Sequence, residues 1–233
     1  MAPHAEPKKN EKRARASGLS RFWVPSRLVE EGASPRRDGR PAALDSLAMG
    51  LLTFSINVTL DGCVDHREGV VDTETHAFFT RLMDESGAML WGRTTYEMME
   101  SYWPLVARGD LQAAPAMREW AVKLEAKPKY VVSSTRREFS WNNSHLLAGD
   151  LRAGVQQLKD ETPAGVLLGS GKLATELDRL ELIDEYRLLV HPRIVGHGPT
   201  LYQGGLPSTR QLELVSAQPL RCGAVAMHYR RAG

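Results

Sequence analysis

Three short segments of the 233-residue chain place glycines, hydroxyls and cations in patterns suited to holding phosphate. Gly169-Ser170-Gly171-Lys172-Leu173-Ala174 matches G-x-G-x-x-A after an apolar run and ahead of a helical pattern, where backbone N–H groups and the helix dipole favour an anion. A complete dinucleotide-binding domain does not fit, because only sixty-four residues follow Gly169. A P-loop does not fit either, since it requires glycine at Val166 and a hydroxyl residue at Leu173. From spacing alone the segment serves equally well as a tight strand-to-helix turn that binds nothing.

The second segment, Trp91-Gly92-Arg93-Thr94-Thr95-Tyr96-Glu97, puts a guanidinium and two hydroxyls at another helix start. Taken alone, a threonine N-cap and a solvated arginine explain it as well. In the third, Ser133-Ser134-Thr135-Arg136-Arg137 follows the apolar run Tyr130-Val131-Val132. Each signal is weak by itself. Three anion-friendly junctions at the C-terminal ends of strands of one sheet are what a phosphate-rich cofactor lying across a sheet edge requires.

The elements that must carry these junctions follow from the hydrophobic period. Phe54, Ile56, Val58 and Leu60 alternate with Ser55, Asn57 and Thr59, which predicts a strand ended by Asp61-Gly62. Phe78, Phe79, Leu82 and Met83 form one stripe of a helix over about 74–85, and Ala88-Met89-Leu90-Trp91 reads as a short buried strand. A helix with Tyr96 and Met99 on one side follows Gly92. Another carries Met117, Trp120, Ala121 and Leu124 and closes at Pro128, before the strand Tyr130-Val131-Val132. Leu151, Val155 and Leu158 predict a helix before Pro163, then a strand over 165–168 and a helix over about 172–180. The segments 185–190, 211–216 and 224–229 are β-rich, with no helical pattern between them. Alternating β and α demands parallel crossovers, and the final strands read as antiparallel additions. The expected architecture is α/β: a three-layer sandwich around a mixed, mainly parallel sheet with antiparallel C-terminal strands.

Composition narrows the function classes. With 42% hydrophobic and 25% charged residues the chain is an ordinary globular protein, and no stretch approaches the roughly 20 apolar residues of a membrane span. Cys63 and Cys222 lie far apart in no CxxC pattern, so neither a disulfide framework nor a cysteine zinc site is indicated, and a cytoplasmic setting is expected. Residues 1–48 carry ten Lys/Arg against six Asp/Glu, whereas the remainder carries twenty against twenty-two. The chain therefore divides into a mobile basic N-terminal extension, 1–48, and a nearly neutral domain, 49–233, that offers no broad nucleic-acid surface. An upstream start codon used in place of Met49, an expression leader and a partner-contacting arm all account for the extension.

Several residues have bland readings. His191 and His197 flank a Pro/Gly turn without a carboxylate or cysteine at metal spacing, so they read as turn residues, and no metal is expected. Trp91 and Trp103 read as core or pocket wall. Cys63 has no paired base in view.

Strand-Asp61-Gly62, Gly92-Arg93-Thr94-Thr95-Tyr96-Glu97 with Tyr102-Trp103-Pro104, Tyr130-Val131-Val132-Ser133-Ser134, Gly169-Ser170-Gly171-Lys172-Leu173, and Asp184-Glu185-Tyr186 through His191-Pro192-Arg193-Ile194-Val195-Gly196-His197-Gly198-Pro199-Thr200-Leu201 occur in one consistent order. Over about Met49 to Arg230 the chain resembles the dihydrofolate reductase-like family, in the branch containing the reductase domain of riboflavin biosynthesis. The resemblance implies an NADPH-dependent reductase of a small heterocyclic or carbonyl substrate resembling a pterin, pyrimidine or flavin precursor. A homodimer is compatible with it.

By that resemblance Gly92, Arg93, Thr94 and Thr95 hold cofactor phosphates, Ser133 and Ser134 lie by the 2′-phosphate, and Gly169 to Leu173 cradle the pyrophosphate. Asn57 lies near the nicotinamide carboxamide. The loop from Asp61 to Asp65 covers the reacting rings, and Trp103 walls the substrate pocket. The dihydrofolate reductase pattern places a carboxylate four positions before a phenylalanine of the first helix. Counting back from Phe78 or Phe79 gives Glu74 or Thr75, so Glu74 fits in one register only, and it equally suits the first turn of a helix as a dipole partner. From a different class, a catalytically idle nucleotide- or small-ligand-binding protein of the same fold is the alternative. A nucleic-acid binder using the basic arm is a third.

Overall fold

The structure is a computed structural model, and it describes residues 50–232. The expectation for residues 1–48 lies outside them. Strand β1, Leu52–Thr59, follows the alternation read from sequence: Leu52 and Phe54 are fully buried in one core, while Ser55, Asn57 and Thr59 turn to the opposite face. Helix α1, Thr73–Glu85, begins at a capping box in which the Asp72 carboxylate accepts from Thr75 N–H and the Thr75 hydroxyl oxygen accepts from Asp72 N–H. Strand β2, Ala88–Gly92, runs directly into α2, Arg93–Glu100. Helix α3, Trp103–Arg108, ends at Gly109 in the left-handed region, and α4, Pro115–Ala126, starts on a proline suited to a first helical turn.

The remaining elements are β3, Lys129–Val132; β4, Ser144–Leu146; α5, Leu151–Glu161; β5, Val166–Leu168; α6, Gly171–Arg179; β6, Glu185–His191; β7, Leu212–Pro219; and β8, Val225–Arg231. Their order across the sheet is β4-β3-β2-β5-β1-β6-β8-β7. The first six of these pair in parallel, and β8 runs antiparallel to both β6 and β7. Helices α5 and α6 cover one face through Val155, Leu158, Leu173 and Leu177, packed on Phe54, Leu90 and Leu168. On the other face Leu82, Met83, Trp120 and Leu124 from α1 and α4 meet Trp91, Val131 and Leu167. The sandwich has the three layers expected, and its sheet is mixed and mainly parallel.

Helix α3 and strand β4 were not expected from the sequence. Helix α3 has only six residues, too few to express a hydrophobic period, and β4, Ser144-His145-Leu146, lacks the apolar run that marks the equally short β5. Among the described residues no helix is long and apolar enough to cross a membrane.

Candidate functional site

Parallel strands direct their C-terminal ends to one edge, so the loops after β1, β2, β5 and β6 gather there. Two helices start at that edge on neighbouring strands. Neither α2, preceded by Gly92, nor α6, preceded by Ser170, has a side-chain cap. The Ser170 hydroxyl is turned instead to Gly92, accepting its N–H at 3.0 Å, so the two helix starts are tied together. The first intrahelical bond of α6 is Ala174 N–H to Ser170 C=O, which leaves the N–H groups of Gly171, Lys172 and Leu173 ahead of the ladder. Gly169 is required by a close approach, because a Cβ there would sit 2.9 Å from Trp91 Nε1.

Arg93 is exposed and ion-paired with Glu97 at 3.3 Å; Thr94 is exposed and Thr95 half-buried beside it. Lys172 is exposed on the first turn of α6. Ser133 and Ser134 follow β3, but the Ser133 hydroxyl accepts from Arg136 N–H at 2.8 Å and shapes its own turn. Arg136 holds Glu100 through both terminal nitrogens, at 2.7 and 2.9 Å, and lies over the Tyr96 ring. Burial opposes charge on Glu100, yet the bonds from Arg136, Ser140 and Tyr96 outweigh it and lower its pKa. Two of the five N–H donors of Arg136 are thus committed to Glu100 and its Nε–H to the Glu138 carbonyl.

The β1 end is organised by a histidine. His191, the last residue of β6, is fully buried, with Nε2 2.8 Å from Asn57 Oδ1 and Nδ1 accepting from Val70 N–H at 3.2 Å. Burial and nearby Arg193 lower its pKa, with Asp72 acting weakly the other way. His191 is thus a strand residue, and the turn reading is corrected; its place continues the alternation of β6 beyond Val190. His197 is exposed in the loop, and no metal-type His/Cys/Asp/Glu group occurs among the described residues.

Asp61 joins two loops. Its carboxylate accepts from Val195 and Gly196 N–H groups and from the Thr59 hydroxyl, and those bonds lower its pKa. Nearby, Val64 N–H bonds Pro199 C=O, Cys63 bridges Thr200, and Gly198 (φ +89°) packs against the Cys63 sulfur, where a Cβ would lie 2.9 Å away. The 61–65 and 195–200 loops therefore close together beside the start of α6, where Leu201, Val64 and Ile56 surround Gly171. Trp103 is half-buried, its ring 4.2 Å from that of Trp120. Trp120 also lines an outer cleft of about 550 Å³ between α1 and α4, which includes none of the expected cofactor residues.

Glu74, read from sequence as an acid, takes Arg221 through both backbone N–H and guanidinium, at 2.7 and 2.8 Å. These bonds lower its pKa, favouring the charged form. A carboxylate so engaged carries no proton to give near neutral pH. The pairing is invisible locally, because its partner lies 147 positions away.

Comparison with known proteins bears on the family and the fold. The profile of the RibD C-terminal domain family matches residues 51–226. An uncharacterized protein of Bacillus subtilis, YyaP, is 26% identical over 189 residues, covering 79% of this chain and 97% of its own. Among solved structures, a diaminohydroxyphosphoribosylaminopyrimidine deaminase/5-amino-6-(5-phosphoribosylamino)uracil reductase of Thermotoga maritima superposes with a TM-score of 0.56 at 16% identity, over 79% of this chain and 57% of that one. A dihydrofolate reductase of Enterococcus faecalis complexed with NADP(H) superposes with a TM-score of 0.52 at 13% identity, over 79% and 98%. The last two establish a dihydrofolate reductase-like fold. With more than half its length matched by one family profile and this strand order beneath it, the chain belongs to the RibD C-terminal domain family.

Proposed function

We propose that the chain is an NADPH-dependent reductase of a small heterocyclic or carbonyl substrate, of the pyrimidine, pterin or flavin-precursor type. One observation carries the reading: the side-chain-uncapped starts of α2 and α6, tied by Ser170 and Gly92, meet at the sheet edge that also bears Asn57. Free N–H groups of two helix starts, with Arg93, Thr94, Thr95 and Lys172 around them, form a donor set that fits a pyrophosphate. Ser133, Ser134 and the nearby arginines suit a 2′-phosphate, and Asn57 supplies an amide for a carboxamide. When bound, NADPH supplies the hydride.

The chain's own contribution is orientation and exclusion of water. The paired 61–65 and 195–200 loops shield the end of β1, and in this reading Trp103 walls the substrate pocket. With Glu74 held by Arg221, this reading assigns the proton to solvent or to the substrate itself. That same ion pair favours a second reading, a nucleotide-binding protein that does not turn its ligand over. NADPH oxidation followed with a panel of pterins, flavin precursors and quinones separates the two. Accelerated oxidation with one compound supports the reductase; tight NADPH binding with no acceleration across the panel supports the second.

A further inference from the structure

His191 lies at the same edge, and no role has yet been assigned to it. A backbone N–H can only donate, so the bond from Val70 requires a lone pair on Nδ1. In the neutral ring the proton then sits on Nε2 and is donated to Asn57 Oδ1 at 2.8 Å. That fixes which way the Asn57 amide points, a choice that nothing else in the residue dictates. Its Nδ2 group, on a half-buried side chain, makes no hydrogen bond among the described residues. The loop packs onto the same bond: a Cβ at Gly69 would lie 3.5 Å from both Asn57 Cγ and His191 Nε2.

We propose that His191 is a positioning residue: it aims the two Nδ2 hydrogens of Asn57 at a carbonyl acceptor of the ligand and pins the β1–α1 loop over that group. The inference rests on the reductase reading in one respect, that the acceptor is the carboxamide oxygen of NADPH. The charged groups facing the ring are Arg193 just beyond β6, itself held by Glu68, and Asp72 just ahead of α1. Burial and Arg193 keep the ring neutral at pH 7. A second proton would place N–H against N–H at Val70. The loop is then released at Val70 as pH falls through the depressed pKa of His191, while Nε2–H still donates to Asn57.

The test uses the full chain. Two-dimensional 15N–1H spectra of the imidazole at pH 7.5 are expected to show Nε2 protonated and Nδ1 bare. NADPH titration is expected to weaken about tenfold in His191→Leu, the worth of one hydrogen bond, and to recover largely in His191→Gln, whose amide can still donate to Asn57. Wild-type affinity falls below the His191 pKa, whereas His191→Gln stays flat across that window. Asn57→Asp keeps the acceptor but removes the donors, so it loses NADPH affinity and raises the His191 pKa; it serves should the leucine variant not fold. An Nδ1–H tautomer, or equal and pH-independent affinities in wild type, His191→Leu and His191→Gln, overturns the inference. Absence of NADPH binding in the wild type defeats the reductase reading instead, and the tautomer alone then decides the role of His191.

Discussion

The Ser170 hydroxyl accepts the backbone N–H of Gly92 at 3.0 Å across 78 positions of sequence, so the starts of α2 and α6 are one structural unit. A serine before a helix ordinarily caps it; this one leaves its own helix uncapped to hold the neighbouring one. Ser170→Ala leaves the Gly92 N–H without its partner. We expect a stability loss of about 1 kcal/mol by urea denaturation and weaker NADPH binding by calorimetry. Unchanged values for both would show that the tie positions nothing.

Glu97 sets how much positive charge a ligand meets. It pairs with Arg93 at 3.3 Å and approaches Arg136 at 3.9 Å, competing with any phosphate for both. Glu97→Gln should raise affinity for NADPH more than for NADH, by severalfold, with the difference shrinking as salt rises because Arg93 is exposed. A parallel change for the two nucleotides would move the 2′-phosphate away from these arginines.

Glu74→Gln should leave turnover within a few-fold of wild type. Loss of a general acid typically costs ~10²–10⁴-fold, and a carboxylate already ionised by Arg221 does not act as one. Its lowered pKa also means that it contributes no titration near neutrality to the pH–rate profile. A hundredfold drop in kcat with NADPH affinity intact would restore Glu74 as the donor.

Lys129 reports on the fold independently of the site. Fully buried, its Nζ donates to the carbonyls of Leu124 and Lys127 at the end of α4, and burial pushes its pKa down to about 8 from the ordinary 10.5. Between those values the unfolded chain retains a proton that the folded chain has lost, so this group makes stability rise with pH across that window. Denaturation at pH 8, 9 and 10 should show that slope in the wild type and a flatter one in Lys129→Met. Equal slopes would mean that Lys129 titrates normally when folded.

Legibility in the sequence followed the range of the interactions. β1, α1, β2, α4 and α6 were readable because burial imprints a period on consecutive residues, as in Phe54, Ile56 and Val58. The glycine junctions were readable because glycines, hydroxyls and cations fall together at the starts of helical patterns, although the contact that requires Gly169, its approach to Trp91, is a distant one. What stayed hidden was pairing at a distance. His191 acquires its role from Asn57 and Val70, 134 and 121 positions upstream, and Arg136 is occupied by Glu100, which no spacing rule connects to it. Asp61 is a comparable case, since the nest it holds at Val195 and Gly196 belongs to a loop after β6. The continued alternation of β6, with Arg187, Leu189 and His191 on one face, was the one local sign that His191 is a strand residue.

Calorimetric titration of the full chain with NADPH and NADH is the most direct test of the central claim. The account predicts saturable binding of NADPH, tighter than NADH by roughly ten- to a hundred-fold, as one charge-assisted hydrogen bond to the 2′-phosphate would give. Equal affinities would remove the 2′-phosphate assignment, and failure of both nucleotides to bind would contradict the reductase reading itself.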